Sequence, residues 1–197
     1  MSNIFYTLPP DKLIALTAYG EAATEGTEGL MAVINVIINR MRDPQSYADK
    51  SILSQTNSLW HAVILKPYQF SIYNAADPSR QRMEYLARTF DNAVQTNPIL
   101  STAYKLAQYA VNGTLADNTG GSTHYHADYV SPAWSKTLER ITQIGRHIFY
   151  SAYPAWQRVR AVIGEAVEAV SPYTIYILFG LMGLGAVLYL KRKRRIK

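Results

Sequence analysis

The sequence predicts a mainly α-helical domain with a small irregular or β segment, followed by a C-terminal transmembrane helix. Apolar residues recur at helical spacing through most of the first 111 positions. The stretch Asp117-Asn-Thr-Gly-Gly-Ser-Thr-His-Tyr-His-Ala127 then breaks that rhythm, because its first half lacks helix formers and Gly120-Gly121 permits a tight turn. Finally, an uncharged run from Tyr173 to Leu190 leads into Lys-Arg-Lys-Arg-Arg-Ile-Lys.

Asp11 is placed to cap a first helix whose apolar positions include Leu13, Ile14, Leu16 and Ala18, with Gly20 interrupting it just before Glu21. A second helix is expected from near Thr27, with Leu30, Val33, Ile34, Ile37 and Met41 on one stripe and Asp43-Pro44 as its stop. Residues 43–78 read as less regular, with Pro67-Tyr-Gln-Phe-Ser71 as an extended or turn segment. Asp77-Pro78-Ser79 supplies a stop and a cap. Met83, Leu86, Ala87, Phe90 and Val94 restore the helical spacing, and a further helix from about Ser101 ends at Asn112-Gly113. An extended His124-Tyr125-His126 points both histidines to one face and the tyrosine to the other. A turn-and-helix segment containing Pro132, Trp134, Ile141, Ile144, His147, Phe149 and Tyr150 is expected to close the domain.

The domain plan is therefore residues 1–156 as one folded domain, 157–172 as a helical neck, 173–190 as a transmembrane helix and 191–197 as a basic tail. Ser171-Pro172 fits the cap and first turn of the spanning helix. Residues 173–190 would rise about 27 Å, close to the ~30 Å of hydrocarbon to be crossed.

Charge narrows the partners. The formal net charge is +6, yet all of the excess lies in the tail, since Lys191, Arg192, Lys193, Arg194, Arg195 and Lys197 are six of the 20 basic residues and all 14 acidic ones precede them. The body of the chain is balanced and carries no basic stripe for a phosphate backbone, so nucleic acid is excluded as the expected partner. The tail suits anionic lipid headgroups at a cytoplasmic membrane face. With no cysteine, disulfides and thiol catalysis are ruled out.

Several blocks, in order, carry a resemblance. Tyr19-Gly-Glu-Ala22, Ala32-Val-Ile-Asn-Val-Ile-Ile-Asn-Arg40, Tyr68-Gln-Phe-Ser71, Gly120-Gly-Ser-Thr-His-Tyr-His-Ala127 and Ile144-Gly-Arg-His-Ile-Phe-Tyr150 together resemble the spore-cortex-lytic, cell-wall hydrolase family. The resemblance covers about residues 11–150. It departs from the usual family wording at Ala23-Thr24 and at Trp60-His-Ala-Val63. What it implies is a lysozyme-like domain acting on bacterial peptidoglycan as a lytic transglycosylase, with Glu21 at the position of the family's catalytic glutamate and no cofactor.

An apolar groove disfavours a charged carboxylate, raises its pKa and so leaves a proton available for a leaving sugar oxygen. Asn35, Gln69, Ser71, Thr123, His124, Tyr125 and His126 are the candidates for holding the glycan. Several have a structural alternative: Tyr125 in the core, a histidine bracing the glycine turn, Asn35 buried and hydrogen-bonded. Glu25 and Glu28 are either solvated charges or assistants to Glu21, which leaves a hydrolytic muramidase or glucosaminidase open. His124, His126 and His147 invite a zinc reading, but no His-Glu-x-x-His motif accompanies them and no metal is expected.

Positive-inside orientation would put residues 1–170 on the wall side of a membrane, although the N-terminus shows no secretory leader. A bacteriophage particle penetrating the envelope from outside would reconcile the two, with other virion proteins as partners. The non-enzymatic alternative is a structural virion protein that only grips peptidoglycan.

Overall fold

The computed structural model describes residues 3–155 and 157–158. A short 3-10 turn, Ile4–Thr7, leads into α1, Pro10–Ala22. Pro9 occupies the cap position and Pro10 opens the helix, where its missing N–H costs nothing, while Asp11 lies in the first turn and favours the positive end of the helix dipole. Leu13, Ile14, Ala15, Leu16, Thr17, Ala18 and Tyr19 are all buried. A helix buried on every side is central, and α1 forms the axis of the domain.

Around it pack α2 (Gly26–Met41), α3 (Pro44–Tyr47), α4 (Lys50–Thr56), α5 (Leu59–Ile64), α6 (Arg80–Arg88), α7 (Phe90–Thr96) and α8 (Pro98–Val111). Of these, α2, α5, α6 and α8 lie directly against α1. The region 43–78, expected to be irregular, holds three short helices and a 3-10 turn. Each of the three begins at a side-chain cap: Asp43 accepts from the Ser46 N–H, Asp49 from Ser51 and Ile52, and Ser58 from His61. Caps rather than apolar periodicity define helices this short. The last helix also starts earlier than the spacing indicated, at Pro98, because Asn97 accepts from the N–H groups of Ile99 and Leu100.

The region after α8 is a three-stranded antiparallel sheet of β1 (His124–Ala127), β2 (Glu139–Ile144) and β3 (His147–Ser151), in the order β1-β3-β2. This corrects the turn-and-helix expected there. Ile141, Ile144 and His147 mimic a helical spacing, but Ile144 pairs with His147 across a two-residue turn whose first residue, Gly145, has φ 55°. Positive φ at that position alone is the type II′ geometry that closes hairpins. One face of the sheet seals onto α2 through Phe149, Ala32 and Val36, with Tyr125 and Ile144 packed alongside.

The chain separates into two compact units, Met1–Ala152 and Tyr153–Lys197. The expected neck, apart from residues 157–158, lies outside the described residues, as do the 173–190 span and the basic tail. The expected transmembrane helix and single-pass anchoring are corrected here: among the described residues no helix is long and apolar enough to cross a membrane. The fold is a helical domain with a small antiparallel sheet.

Candidate active site

Glu21 occupies the last turn of α1, before the chain breaks at Ala23–Glu25 and re-enters helix at Gly26 with φ 69°. Its neighbour Gly20 permits a close approach, since a Cβ there would stand 2.6 Å from Ile72 Cδ1 and 3.2 Å from the Met83 sulfur. That clearance lets the 3-10 turn Ser71–Tyr73 lie beside the Glu21 carboxyl. From the other side β1 delivers Tyr125, whose hydroxyl donates to Glu21 Oε2 at 2.9 Å.

The second oxygen, Oε1, is buried and has no hydrogen-bond partner among the described residues. The Ile72 backbone N–H is near enough to ease the charge slightly but does not reach bonding geometry with it. Burial therefore dominates and raises the Glu21 pKa above the ordinary carboxylate value. The Tyr125 hydrogen bond and the Arg40 charge oppose the rise, and Asp77 adds to it. A carboxyl in this setting holds its proton to higher pH than a solvated one and presents one oxygen uncommitted.

The remaining predicted residues separate into two groups. As the alternation of an extended chain requires, Tyr125 turns toward α2 and touches the His147 and Phe149 rings, with centroids 5.0 and 5.6 Å away. His124 and His126 turn to the opposite face. There the Trp134 ring lies 5.2 Å from His124 and 5.6 Å from His126, and His126 stacks on Tyr150 at 5.2 Å. Burial and the Arg40 charge pull the His124 pKa down to about 4, so this imidazole is neutral at working pH. Ser71 is exposed at the start of its turn.

Asn35, Thr123 and Gln69 are structural in their contacts. Asn35 is 1% exposed, and its amide donates to the Ala116 carbonyl at 2.9 Å and to Asn118 Oδ1 at 3.1 Å. Thr123 is buried, with its carbonyl accepting from Arg40 and its hydroxyl paired with His124 Nδ1 at 2.9 Å. The Gln69 amide ties the 67–71 segment down by donating to the carbonyls of Tyr47 and Val63. Phe70 is core.

Glu25 and Glu28 are also engaged. Glu25 Oε2 accepts from the Arg146 N–H at 2.7 Å, and this bond holds its pKa below the ordinary value. Glu28 accepts from Asn118 Nδ2 at 3.0 Å. Because the chain breaks between α1 and α2, Glu21 and Glu25 share no helix face. The three histidines do not converge either: His147 lies on the Tyr125 face of the sheet, and no group of acidic or histidine ligands among the described residues is placed for a metal.

Two residues escaped the sequence reading. Arg40 is buried, bonded to the Thr123 carbonyl and packed on Phe70 and Tyr47, with its charge acting on Glu21, and the helical pattern that placed it near the end of an apolar stripe was the available signal. Tyr68 is 89% exposed with φ 66°, a left-handed conformation that costs a side chain about 1–2 kcal/mol; nothing in local sequence announced it.

Tyr125→Phe is expected to lower kcat about tenfold. Its lost hydrogen bond stabilises the charged carboxyl, so the alkaline limb of the rate profile should move to higher pH. Steady-state rates from pH 4 to 9 check both.

A structural comparison finds the catalytic domain of the germination-specific lytic transglycosylase SleB of Bacillus anthracis at 24% identity, covering 72% of this chain and 93% of that one, with a TM-score of 0.47. The catalytic domain of the Bacillus cereus SleB protein gives 27% identity, coverage of 72% and 89%, and the same TM-score of 0.47. Among curated proteins, a spore cortex-lytic enzyme of Halalkalibacterium halodurans is 29% identical over 139 residues, 70% of this chain and 33% of that protein. The chain thus spans about a third of that relative's length. The family model for cell wall hydrolases matches residues 24–150, beginning just after Glu21, so the role of that residue rests on its surroundings. With most of its length matched by that model, the chain belongs to the cell wall hydrolase family.

Proposed function

We propose that this domain is a lytic transglycosylase that breaks the glycosidic bond between N-acetylmuramic acid and N-acetylglucosamine in bacterial peptidoglycan, with Glu21 as its acid and then its base. The observation that carries the reading is the state of that carboxyl: sheltered from water, raised in pKa, held through one oxygen by Tyr125 and uncommitted at the other. Such a group gives its proton to the leaving glycosidic oxygen as the bond to the muramyl C1 breaks. The carboxylate left behind takes the proton of the muramyl C6 hydroxyl as that oxygen bonds to C1, closing a 1,6-anhydro ring. The acid is restored, and no water enters.

This route needs one carboxyl, whereas the usual hydrolytic pair needs a second one free to activate water or attack the sugar. Glu25 and Glu28 are held by Arg146 and Asn118, which favours the single-carboxyl route. His124 and His126, with Trp134 and Tyr150 beside them, offer half-buried rings suited to a sugar face. Ser71 offers an exposed hydroxyl on the segment bordering Glu21.

Mass spectrometry of fragments released from purified peptidoglycan tests the proposal. Anhydromuramyl ends are expected. Reducing muramic or glucosamine ends alone would replace it with hydrolysis, and binding without cleavage would favour a scaffold. The bacteriophage setting rested in part on the membrane helix corrected above and is not carried forward.

A further inference from the structure

Lys66, Pro67, Tyr68 and Gln69 form a turn closed by the Gln69 N–H, which donates to the Lys66 carbonyl at 3.1 Å. Proline in the second place and φ 66° in the third make the type II arrangement, whose third place ordinarily takes glycine or asparagine because a larger side chain is strained there. Here it holds a tyrosine that is 89% exposed. The ring gains almost no packing in return for the strain, so the fold alone gives no reason for it. Strain of this kind beside a reactive site points to a use for the side chain.

The turn is anchored on both sides. The Tyr68 N–H donates to Asn74 Oδ1 at 3.3 Å, and the Gln69 amide donates to the carbonyls of Tyr47 and Val63 at 2.7 and 2.8 Å. From there the chain runs directly into the wall of the Glu21 site. Ile72 fills the space that Gly20 leaves open, and the Tyr73 hydroxyl is paired with Thr17 Oγ1 at 2.8 Å, so both residues are docked on α1. Tyr68 stands four residues before Ile72, which limits the distance between their Cα atoms to about 14 Å. In the other direction, the half-buried Tyr47 ring meets His124 with centroids 6.0 Å apart, and His124 meets Trp134 at 5.2 Å. Tyr68 is thus held rigidly on a rim continuous with the acid and with the rings suited to a sugar face.

We propose that Tyr68 is a substrate-binding residue whose ring stacks on a sugar of the glycan strand beyond the bond being broken. This rests on the reading of the domain as a glycan-cleaving enzyme. The face of a pyranose that carries its axial C–H bonds is apolar and packs on an aromatic ring, while the phenol hydroxyl remains free to bond a sugar hydroxyl or acetamido group. A contact made equally before and during bond cleavage adds affinity for the strand and leaves the chemical step unchanged.

The test compares wild type with Tyr68→Gly, Tyr68→Ala and Tyr68→Trp. Three measurements are made: kcat and KM on glycan strands, melting temperature, and binding to purified peptidoglycan in a Glu21→Gln background. Tyr68→Gly and Tyr68→Ala should raise KM and weaken binding about tenfold with kcat unchanged, and Tyr68→Trp should stay near the wild type. Tyr68→Gly should also melt at or above the wild-type temperature, because glycine relieves the turn. A merely structural tyrosine would give the reverse: a lower melting temperature and unaltered binding. Either of those results in Tyr68→Gly, or a fall in kcat with KM unmoved, would overturn the inference. Should Glu21→Gln retain full cleavage, the acid-base reading fails while the binding comparison still decides on Tyr68. Should Glu21→Gln be inactive while the Tyr68 variants bind like the wild type, only the Tyr68 inference fails.

Discussion

Glu21→Gln is expected to lower kcat at least 100-fold while leaving glycan binding nearly unchanged. The amide keeps the shape of the carboxyl and an oxygen to accept from Tyr125, so the 2.9 Å contact survives. What disappears is the transferable proton. The same substitution carries a stability signature. Because burial raises the folded-state pKa of Glu21 above its unfolded value, the folded protein binds this proton more tightly. The associated stability is complete below the unfolded pKa and is lost as pH rises through the folded one. Glutamine has no proton to lose, so its melting temperature should match the wild type near pH 4 and exceed it increasingly toward pH 8. Calorimetry across that range, beside rates of fragment release, measures both. Retained cleavage, or a gap that does not change with pH, would remove Glu21 from its assigned role.

Asp117→Ala is expected to cost about 3 kcal/mol of stability. One carboxylate organises the loop before β1, accepting from the Thr119 N–H at 2.7 Å, the Thr119 hydroxyl at 2.6 Å and the Gly121 N–H at 2.7 Å. Gly120 and Gly121 sit at φ 62° and 79°, consecutive left-handed conformations that a side chain would strain. Asn39 braces the loop from α2, donating to the Ser122 carbonyl at 3.0 Å and Thr119 Oγ1 at 3.2 Å. Alanine would leave a buried threonine hydroxyl and two backbone donors short of an acceptor. For a domain of this size the loss corresponds to roughly 6–12 °C in Tm. Activity should also fall at temperatures where the variant is fully folded, because this loop fixes the start of the strand that carries Tyr125. Thermal and urea unfolding check the first effect; a change under about 1 kcal/mol would show that the carboxylate does not organise the loop.

Much of the helical framework was legible in the amino-acid pattern. The burial of Leu13, Ile14 and Leu16 and the stripe of Leu30, Val33, Ile34 and Ile37 follow from spacing alone, because apolar residues a turn apart share a face. The short helices between residues 43 and 78 were hidden, since they depend on caps at Asp43, Asp49 and Ser58 and offer too few turns for a period to emerge. The β2–β3 hairpin was misread because Ile141, Ile144 and His147 fit a helical template while the deciding signal was one glycine. The opposite faces of Tyr125 and the flanking histidines came directly from strand alternation.

The sequence by itself determined a helical domain, the candidate acid at the end of its first helix, and a glycine-marked segment bearing the residues that meet it. Those features are local or periodic, and chemistry along the chain is enough to specify them. The tertiary structure decided which polar residues brace the fold and which face the site. Asn35 and Thr123 were spent on the loop, Glu25 on the hairpin turn, and Arg40 was brought from a separate helix onto the Thr123 carbonyl at the start of the strand that carries Tyr125. A polar side chain's role depends on what lies within about 3 Å of it, and for partners more than 80 positions apart in sequence, as Asn35 is from Ala116, only folding supplies that neighbour.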